Sequence, residues 1–274
     1  MNQNLLIFLI GFFCLFFASC CFAEIELNGQ FTQGGLIYGK AEPDLLIFFH
    51  DRQVKPTKEG QFIFGLGRDA SSDQRLTVIT KNGEKEIHPV EIQPRQYQIE
   101  RINGISKKMM RPSTKNLTRI KNEAELVSEA RKQGRQLDHF REQFIWPVTG
   151  RISGVYGSQR FFNGEPRRPH FGIDIAAPKG TGIVAPAGGI VSLAHPGMFF
   201  SGATLIIDHG YGLSSSFLHL EKILVKSGDQ VVQGQLIATV GATGRVTGPH
   251  LDWRVNWFEQ RLDPALMVQE MPGG

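Results

Sequence analysis

The chain has 274 residues, of which 41% are hydrophobic and 20% are charged. This ordinary globular composition provides for a packed core in one large domain or two smaller ones. The formal net charge of +4 favours encounter with an anionic polymer such as a cell wall, but it is too small and too evenly spread to indicate nucleic-acid binding.

The first 23 residues have the pattern of a secretory signal peptide. An apolar run from Leu5 to Phe17 is followed by small residues and ends at Ala23, although the n-region lacks Lys and Arg. The run is too short to cross a membrane. Residues 17–20 also resemble a bacterial lipoprotein box, which would place a lipid anchor on Cys20. We expect export to the periplasm or cell envelope, with soluble export ranked above the anchor.

Every cysteine of the chain lies in this leader. Cys14, Cys20 and Cys21 are the three, so the mature protein is predicted to have no disulfide and no thiolate ligand. Any metal ion must then be held by histidines and carboxylates.

Residues 24–104 show short apolar runs that alternate with turn residues. Asn82-Gly83 is typical of a hairpin turn, and the regular spacing predicts a small N-terminal β-sandwich domain. His50 and His88 have no acidic or histidine neighbour at ligand spacing. We therefore interpret both as polar residues at strand ends.

A different periodicity follows in residues 105–144, which we predict to be a helical linker. Apolar residues recur there at intervals of three and four among charged ones: Leu117, Ile120, Ala124, Val127 and Ala130. Interleaved glutamates indicate that the basic residues form a solvated face rather than a site for a polyanion. We expect this amphipathic helix to pack on one or both domains, with a break at Gly134.

The remaining residues, 145–274, are rich in glycine and in β-type runs. Residues 189–193, 204–208 and 235–240 are the clearest of these runs. They predict a second, antiparallel β domain with long glycine-rich loops, so that the whole protein is mainly β.

His170 and Asp174 are the first two residues with the spacing of a metal site. Pro169 and Gly172 argue against a helix there, and on a straight strand the two side chains would be about 13 Å apart. A bend near Gly172 is therefore required if both bind one ion.

His250 and Asp252 stand two residues apart at the start of an apolar, strand-like run. Their side chains would project to one side, about 6 to 7 Å apart at the backbone. One could bind a metal ion while the other handles protons. Together with His170 and Asp174, these residues make a hydrolytic metal centre the leading hypothesis, whereas a role for His219 depends on the rest of the pattern.

Three segments carry a resemblance to a known family. RRPHFGIDIAAPKGTGIVAPAGGIV, LIIDHGYGLSSSFLHL and VKSGDQVVQGQLIATVGATGRVTGPHLDW resemble the lysostaphin/LytM-type zinc endopeptidases, which cut peptide bridges of peptidoglycan. The likeness covers residues 146–264 and includes glycine positions as well as chemical ones. It implies a LytM-type peptidase domain in residues 145–274.

The resemblance also implies roles for individual residues. His170 and Asp174 match zinc ligands, His250 matches a catalytic histidine, and His219 matches the family's other active-site histidine. The third ligand of the family is a histidine, and Asp252 occupies its position. The implied cofactor is one Zn²⁺ ion.

Other histidines receive no such role. His209 falls in a turn pattern of the family and is expected to be structural, and His139 and His195 have no match.

Asp252 raises an alternative. An aspartate oxygen can bind zinc, but a second carboxylate would formally cancel the charge of the ion and weaken its polarisation of water. We therefore expect weaker activity, another metal preference or no catalysis. The alternative function is an inactive LytM-like domain that binds cell wall or regulates another hydrolase, with the divisome as a candidate partner.

A third interpretation is weaker. Residues 228–235 resemble the hairpins of biotinyl and lipoyl carrier domains, but no lysine follows Lys226, so that a carrier function is not expected. The N-terminal domain is left with three candidate roles: binding wall polymer, positioning the second domain or covering its cleft.

Overall fold

The structure is a computed structural model that describes residues 23–105 and 110–272. The predicted leader, including Cys14, Cys20 and Cys21, lies outside the described residues apart from Ala23. The expectation of a mainly β protein is confirmed, because most of the regular structure is strand and the sheets are largely antiparallel. Within the described ranges, no helix combines the length and apolar character needed to span a bilayer.

Two antiparallel sheets form the N-terminal part. The strands of this part are Glu26–Gly29 (β1), Leu36–Lys40 (β2), Leu46–Phe49 (β3), Arg52–Val54 (β4), Gln61–Gly65 (β5), Asp73–Ile79 (β6), Lys85–Glu91 (β7) and Ile99–Ile102 (β8). Strands β1, β2 and β5 make a three-stranded sheet, and a four-stranded sheet has the order β4-β3-β6-β7. Period-2 alternation turns Ile47, Leu76 and Val78 inward, where they are fully buried.

The structure places the two N-terminal histidines differently from each other. His50 follows β3 in a turn with φ of 52°, as expected for a strand end. His88 lies in the middle of β7 and its Nε2 is 3.1 Å from Glu86 Oε2. The expectation that His88 ends a strand without an acidic neighbour is wrong, because residues i and i+2 of a strand share a face.

The helix α1 spans Thr114–Arg131. The Ser113 side chain caps its first turn by accepting a hydrogen bond from the Asn116 N–H at 3.4 Å. The predicted apolar face contacts the C-terminal sheet through its later turns, where Ala130 is buried. At the start of the same face Leu117 is 53% exposed, so the packing does not extend to the first turn of the helix.

The C-terminal part is built on a large antiparallel sheet. The strands of this part are Arg151–Gly154 (β9), Gln159–Phe162 (β10), Glu165–Pro166 (β11), Ile173–Ala176 (β12), Gly182–Val184 (β13), Gly189–Met198 (β14), Gly202–Gly210 (β15), Leu213–Ile223 (β16), Gln230–Val231 (β17), Leu236–Val240 (β18), His250–Trp257 (β19) and Gln260–Leu262 (β20). The large sheet has the strand order β17-β14-β15-β16-β19-β12-β9, and β13, β18 and β20 pair with strands of this sheet. Two single-turn 3-10 helices span Asp138–Arg141 and Pro264–Leu266.

The two β parts share contacts across their border. The rings of Phe49 and Trp257 lie 6.1 Å apart, and both residues belong to one continuous cluster of buried residues. Strand β8 does not join the N-terminal sheets but pairs in parallel with β10. The domain boundaries at residues 24, 105 and 145 remain predictions.

Candidate metal centre and its histidines

Two neighbouring strands position the carboxylates. Asp174 in β12 lies directly opposite Asp252 in β19 in the antiparallel register. Directly opposite residues have Cβ atoms about 5 Å apart and project to one face of the sheet. The pairing therefore brings together two side chains that are 78 positions apart in the chain.

His170 lies beside the two carboxylates because the chain bends between His170 and Asp174, as their spacing requires. The chain bends at Gly172 just before β12 begins. A Cβ built on Gly172 would lie 2.7 Å from Asp252 Oδ1, so that only glycine fits there without a shift. His170 Nε2 lies 3.1 Å from Asp174 Oδ1, and one ligand atom each from His170, Asp174 and Asp252 lie within 4.8 Å of one another.

The polar atoms of this cluster fit a cation. Both ring nitrogens of His170 and Oδ1 of Asp174 are buried without a hydrogen-bond partner among the described residues. Buried polar groups nearly always have a partner, and one cation would satisfy both His170 Nε2 and Asp174 Oδ1, which lie 3.1 Å apart. Imidazole and carboxylate are both donors that zinc accepts.

The second oxygen of Asp174 is held by an arginine. Arg160 Nη2 donates to Asp174 Oδ2 at 2.6 Å, and Arg160 Nε donates to Glu100 of β8 at 3.0 Å. Burial opposes ionisation of Asp174, but the adjacent His170 and the charge of Arg160 hold its pKa below the ordinary value. Asp174 is thus an anion with one oxygen oriented and the other left for a ligand.

Asp252 has a different environment, because Arg254 binds both of its oxygens. Arg254 Nε donates to Oδ1 at 2.9 Å and Arg254 Nη2 donates to Oδ2 at 2.5 Å. Burial would raise the pKa of Asp252, but the charge and hydrogen bonds of Arg254 hold it well below the ordinary value. A bidentate guanidinium pair of this kind is strong and geometrically specific.

The arginines change the charge argument made from sequence. Two carboxylates alone would cancel the charge of a divalent ion, but Arg160 and Arg254 offset Asp174 and Asp252. The expected cancellation is therefore incomplete. Arg254 could have been found from sequence, because it stands two residues after Asp252 on a strand and must share its face. Arg160 gives no such local signal.

His219 and His250 lie beside the cluster with their ring centroids 5.0 Å apart. His250 Nε2 is 3.8 Å from Asp174 Oδ1. The Nδ1 atoms of His219 and His250 are 2.8 and 2.9 Å from the carbonyl oxygens of Thr243 and Gly248. A carbonyl oxygen only accepts, so Nδ1 carries the hydrogen in both rings and, in the neutral form, Nε2 keeps its lone pair.

The backbone at His219 was not foreseen from the sequence. Its φ is 64°, in the left-handed region that a non-glycine residue rarely adopts, and the pairing of β16 with β15 shifts register between Phe217 and Leu220. Such strain persists where surrounding structure fixes it, and it is frequent at functional sites. Burial lowers the pKa of His219 to about 4, so its ring is neutral at physiological pH.

The other histidines of this part lie apart from the cluster. His209 is fully buried, with Nδ1 2.6 Å from Gly188 O and Nε2 2.8 Å from Ser215 Oγ, which suits the structural role expected for it. His139 Nδ1 contacts Glu142 at 2.6 Å, and His195 Nδ1 accepts from the Gly197 N–H at 3.1 Å.

Comparison with known proteins points to one family. Residues 168–264 match Peptidase family M23. The chain is 41% identical over 111 residues to the peptidoglycan DD-endopeptidase ShyB of Vibrio cholerae serotype O1, which covers 40% of this chain and 22% of that protein. It is 37% identical over 127 residues to the peptidoglycan DD-endopeptidase ShyA of the same organism. That alignment covers 45% of this chain and 29% of ShyA.

A solved structure of a peptidase M23 protein from Pseudomonas aeruginosa resembles most of the chain. Its TM-score is 0.69 at 29% identity, covering 87% of this chain and 95% of that one. By contrast, the chain spans less than a third of the length of the two curated relatives. The part of the chain that matches Peptidase family M23, residues 168–264, includes all five residues of the site.

Proposed function

We propose that the protein is an exported zinc metalloendopeptidase that hydrolyses peptide crosslinks of peptidoglycan. The observation that carries this proposal is the convergence of His170, Asp174 and Asp252 within 4.8 Å, with His219 and His250 beside them. The named activity of the M23 relatives ShyA and ShyB supports the substrate class.

His170, Asp174 and Asp252 would hold the zinc ion. Zinc supplies a Lewis acid that polarises a carbonyl and lowers the pKa of water. Arg160 fixes Asp174 through Oδ2, so that Oδ1 faces the ligand position. A carboxylate oriented by a second partner is a stronger and better placed ligand than a free one.

His250 would act as the general base on the attacking water. Its Nδ1–H is committed to Gly248 O, which directs the lone pair of Nε2 toward the cluster, 3.8 Å from Asp174 Oδ1. After taking the proton, the same nitrogen can deliver it to the leaving amine.

Of two possible roles for His219, orienting the attacking water fits its geometry better than stabilising the oxyanion. With Nδ1–H bonded to Thr243 O and a pKa of about 4, the ring presents an acceptor rather than a donor. An acceptor can hold a water by its O–H, whereas an oxyanion needs a donor. The resemblance places His219 in an active site without choosing between these two roles.

The test is digestion of purified peptidoglycan by the full chain, with released muropeptides measured by chromatography. We expect release to be lost with a chelator, restored by zinc, and reduced at least about 100-fold in His250→Ala. His195→Ala, which removes a histidine of the same domain away from the cluster, should match the wild type. Equal release by His250→Ala and the wild type would remove His250 from the mechanism.

The two hydrogen bonds from Arg254 to Asp252 favour a second candidate function. Because both oxygens are occupied, Arg254 competes with a metal ion for Asp252. The protein would then be a weak or inactive M23 domain that binds cell wall or regulates another hydrolase. Elemental analysis of protein purified without chelators separates the two: one zinc per chain supports the enzyme, and no bound zinc supports the second candidate.

We also propose that residues 1–23 direct the chain to the periplasm or cell envelope, with Cys20 as an alternative lipid anchor. Fractionation of cells and mass analysis of the purified protein test this. A mature chain beginning at Glu24 supports a cleaved signal peptide, a lipidated Cys20 supports the anchor, and an intact chain in the cytoplasm contradicts both.

A further inference from the structure

A cavity of about 310 Å³ lies between α1 and the face of the C-terminal sheet that carries the metal centre. Arg254, which holds Asp252, is part of its wall. Ser201 is another part, and its carbonyl oxygen accepts the backbone N–H of His219 at 2.8 Å. The cavity therefore adjoins Asp252 through Arg254 and the backbone of His219 through Ser201.

The wall of this cavity carries three arginines, Arg131 of α1, Arg254 of β19 and Arg261 of β20. Arg254 is neutralised by Asp252. Among residues 23–105 and 110–272, neither Arg131 nor Arg261 has a carboxylate within 4 Å. Two guanidinium charges of the wall are thus left without an anion.

The acidic residues of the wall do not supply that anion. Glu123 is paired with Arg119 at 2.6 Å and also accepts the Phe199 N–H. Glu259 is paired with Arg52 at 2.6 Å. Both glutamates pair with arginines outside the cavity, so they do not neutralise Arg131 and Arg261.

Arg131 is held in place although its charge is unpaired. Its Nη2 donates to Ser216 Oγ at 2.9 Å, and Ser216 lies directly opposite Arg254 in the pairing of β16 with β19. Its Nε is buried and has no hydrogen-bond partner in the described part of the chain. Burial lowers the pKa of Arg131 well below the ordinary value, and the neighbouring Arg261 and Arg254 lower it further.

Leaving a buried cationic donor unpaired is unfavourable unless a ligand provides the partner. A planar guanidinium matches a carboxylate with two parallel hydrogen bonds. Ile120 and Val127 of α1 and Met198 of β14 add an apolar side to the same cavity. The wall therefore suits an acid group at the end of an aliphatic chain.

We propose that this cavity is a substrate subsite that binds a free carboxylate on an aliphatic side chain of the peptide, through Arg131 and Arg261. The proposal rests on the proposed function for the identity of the substrate as a peptide. It adds a specificity: peptides with the free acid are preferred over those in which the acid is an amide.

The test compares two synthetic peptides that differ at one group, a free carboxylate on an aliphatic side chain in one and the carboxamide in the other. Their binding to the full, zinc-free chain is measured by calorimetry, which separates binding from hydrolysis. We expect the acid to bind at least about tenfold more tightly than the amide. We expect Arg131→Gln and Arg261→Gln to remove this difference.

Lys121→Gln is the matched control, since it removes one positive charge from an exposed position of the same helix. It should keep the preference for the acid. If Arg131→Gln does not fold, as judged by circular dichroism, Arg261→Gln on a separate strand gives the same information.

Equal affinities of the wild type for the acid and the amide would overturn the proposal, as would a preference that survives in both variants. Inorganic phosphate that binds as tightly as the acid peptide would also overturn it, in favour of a general anion site. The outcomes separate from those of the proposed function: acid-selective binding without hydrolysis leaves the subsite standing, and hydrolysis without selectivity leaves the enzyme standing.

Discussion

In the N-terminal sheets, the buried side chains are almost all apolar, and Thr57 and Gln74 are the buried polar residues described there. The C-terminal sheet buries histidines, aspartates and serines along the same strands that carry its core. Burying polar and charged groups is unfavourable unless each finds a partner. The difference teaches that the buried residues of the first region serve packing alone, whereas the second region also buries the polar groups that the proposed chemistry needs.

This comparison predicts that a core truncation in the N-terminal sheets affects stability without affecting the chemistry. Phe64→Ala removes a fully buried ring that packs 4.5 Å from Phe49, and we expect a loss of about 4 kcal/mol in the free energy of unfolding. Hydrolysis per folded molecule should stay at the wild-type level. Urea denaturation and muropeptide release measure the two quantities.

Leu46→Ala is the control for that change, because Leu46 lies on the adjacent sheet and is 46% exposed. It should destabilise much less than Phe64→Ala. A fall in hydrolysis per folded molecule in Phe64→Ala would show that the two regions are coupled and would break the comparison.

The second prediction concerns the ion pair of the polar region. Arg254→Gln leaves Asp252 as a buried carboxylate without its guanidinium, and we expect the metal-free protein to lose about 3 kcal/mol of stability. Zinc affinity should rise about tenfold, because a competing positive charge is removed. Thermal unfolding with and without zinc, and zinc titration, measure these effects.

The exposed Arg75 of β6 provides the control, as Arg75→Gln makes the same change in charge in the N-terminal sheets. A decrease of zinc affinity in Arg254→Gln would instead mean that Arg254 supports Asp252 as a ligand. That outcome would count against the weak or inactive alternative.

The third and smallest effect is a pH dependence located in the buried polar region. Burial lowers the pKa of His209 from 6.5 to about 4, so folding favours the neutral ring. The contribution of His209 to the free energy of unfolding is fully present above pH 6.5 and is lost as the pH falls toward 4. This contribution is about 3 kcal/mol or less.

Unfolding of the wild type and of His209→Gln at pH 7 and pH 4 measures this contribution. The wild type should lose more stability than the variant over this range, since glutamine does not titrate. Identical losses in the two proteins would show that His209 is not the group that senses acid.

Local patterns were sufficient for much of the fold. Alternating apolar residues predicted the strands, Asn82-Gly83 the turn between β6 and β7, and the three- and four-residue spacing predicted α1. The bend at Gly172 followed from the distance between His170 and Asp174. These inferences succeed because each depends on a few consecutive residues.

The candidate metal ligands were predicted from residue spacing and from a family resemblance, and the structure brings His170, Asp174 and Asp252 together. The partners of these residues were not predicted. Arg160 and Glu100 reach Asp174 through the pairing of β8 with β10, and no local spacing reports that contact.

The sequence by itself determined the secondary structure, the candidate ligands and the exchange of a histidine for Asp252, because these are properties of short stretches of residues. Tertiary structure decided the charge around the ligands, the tautomers of His219 and His250, and the place of Arg131 above the sheet. Those features depend on groups far apart in the chain, and only packing sets the distances over which their charges and hydrogen bonds act.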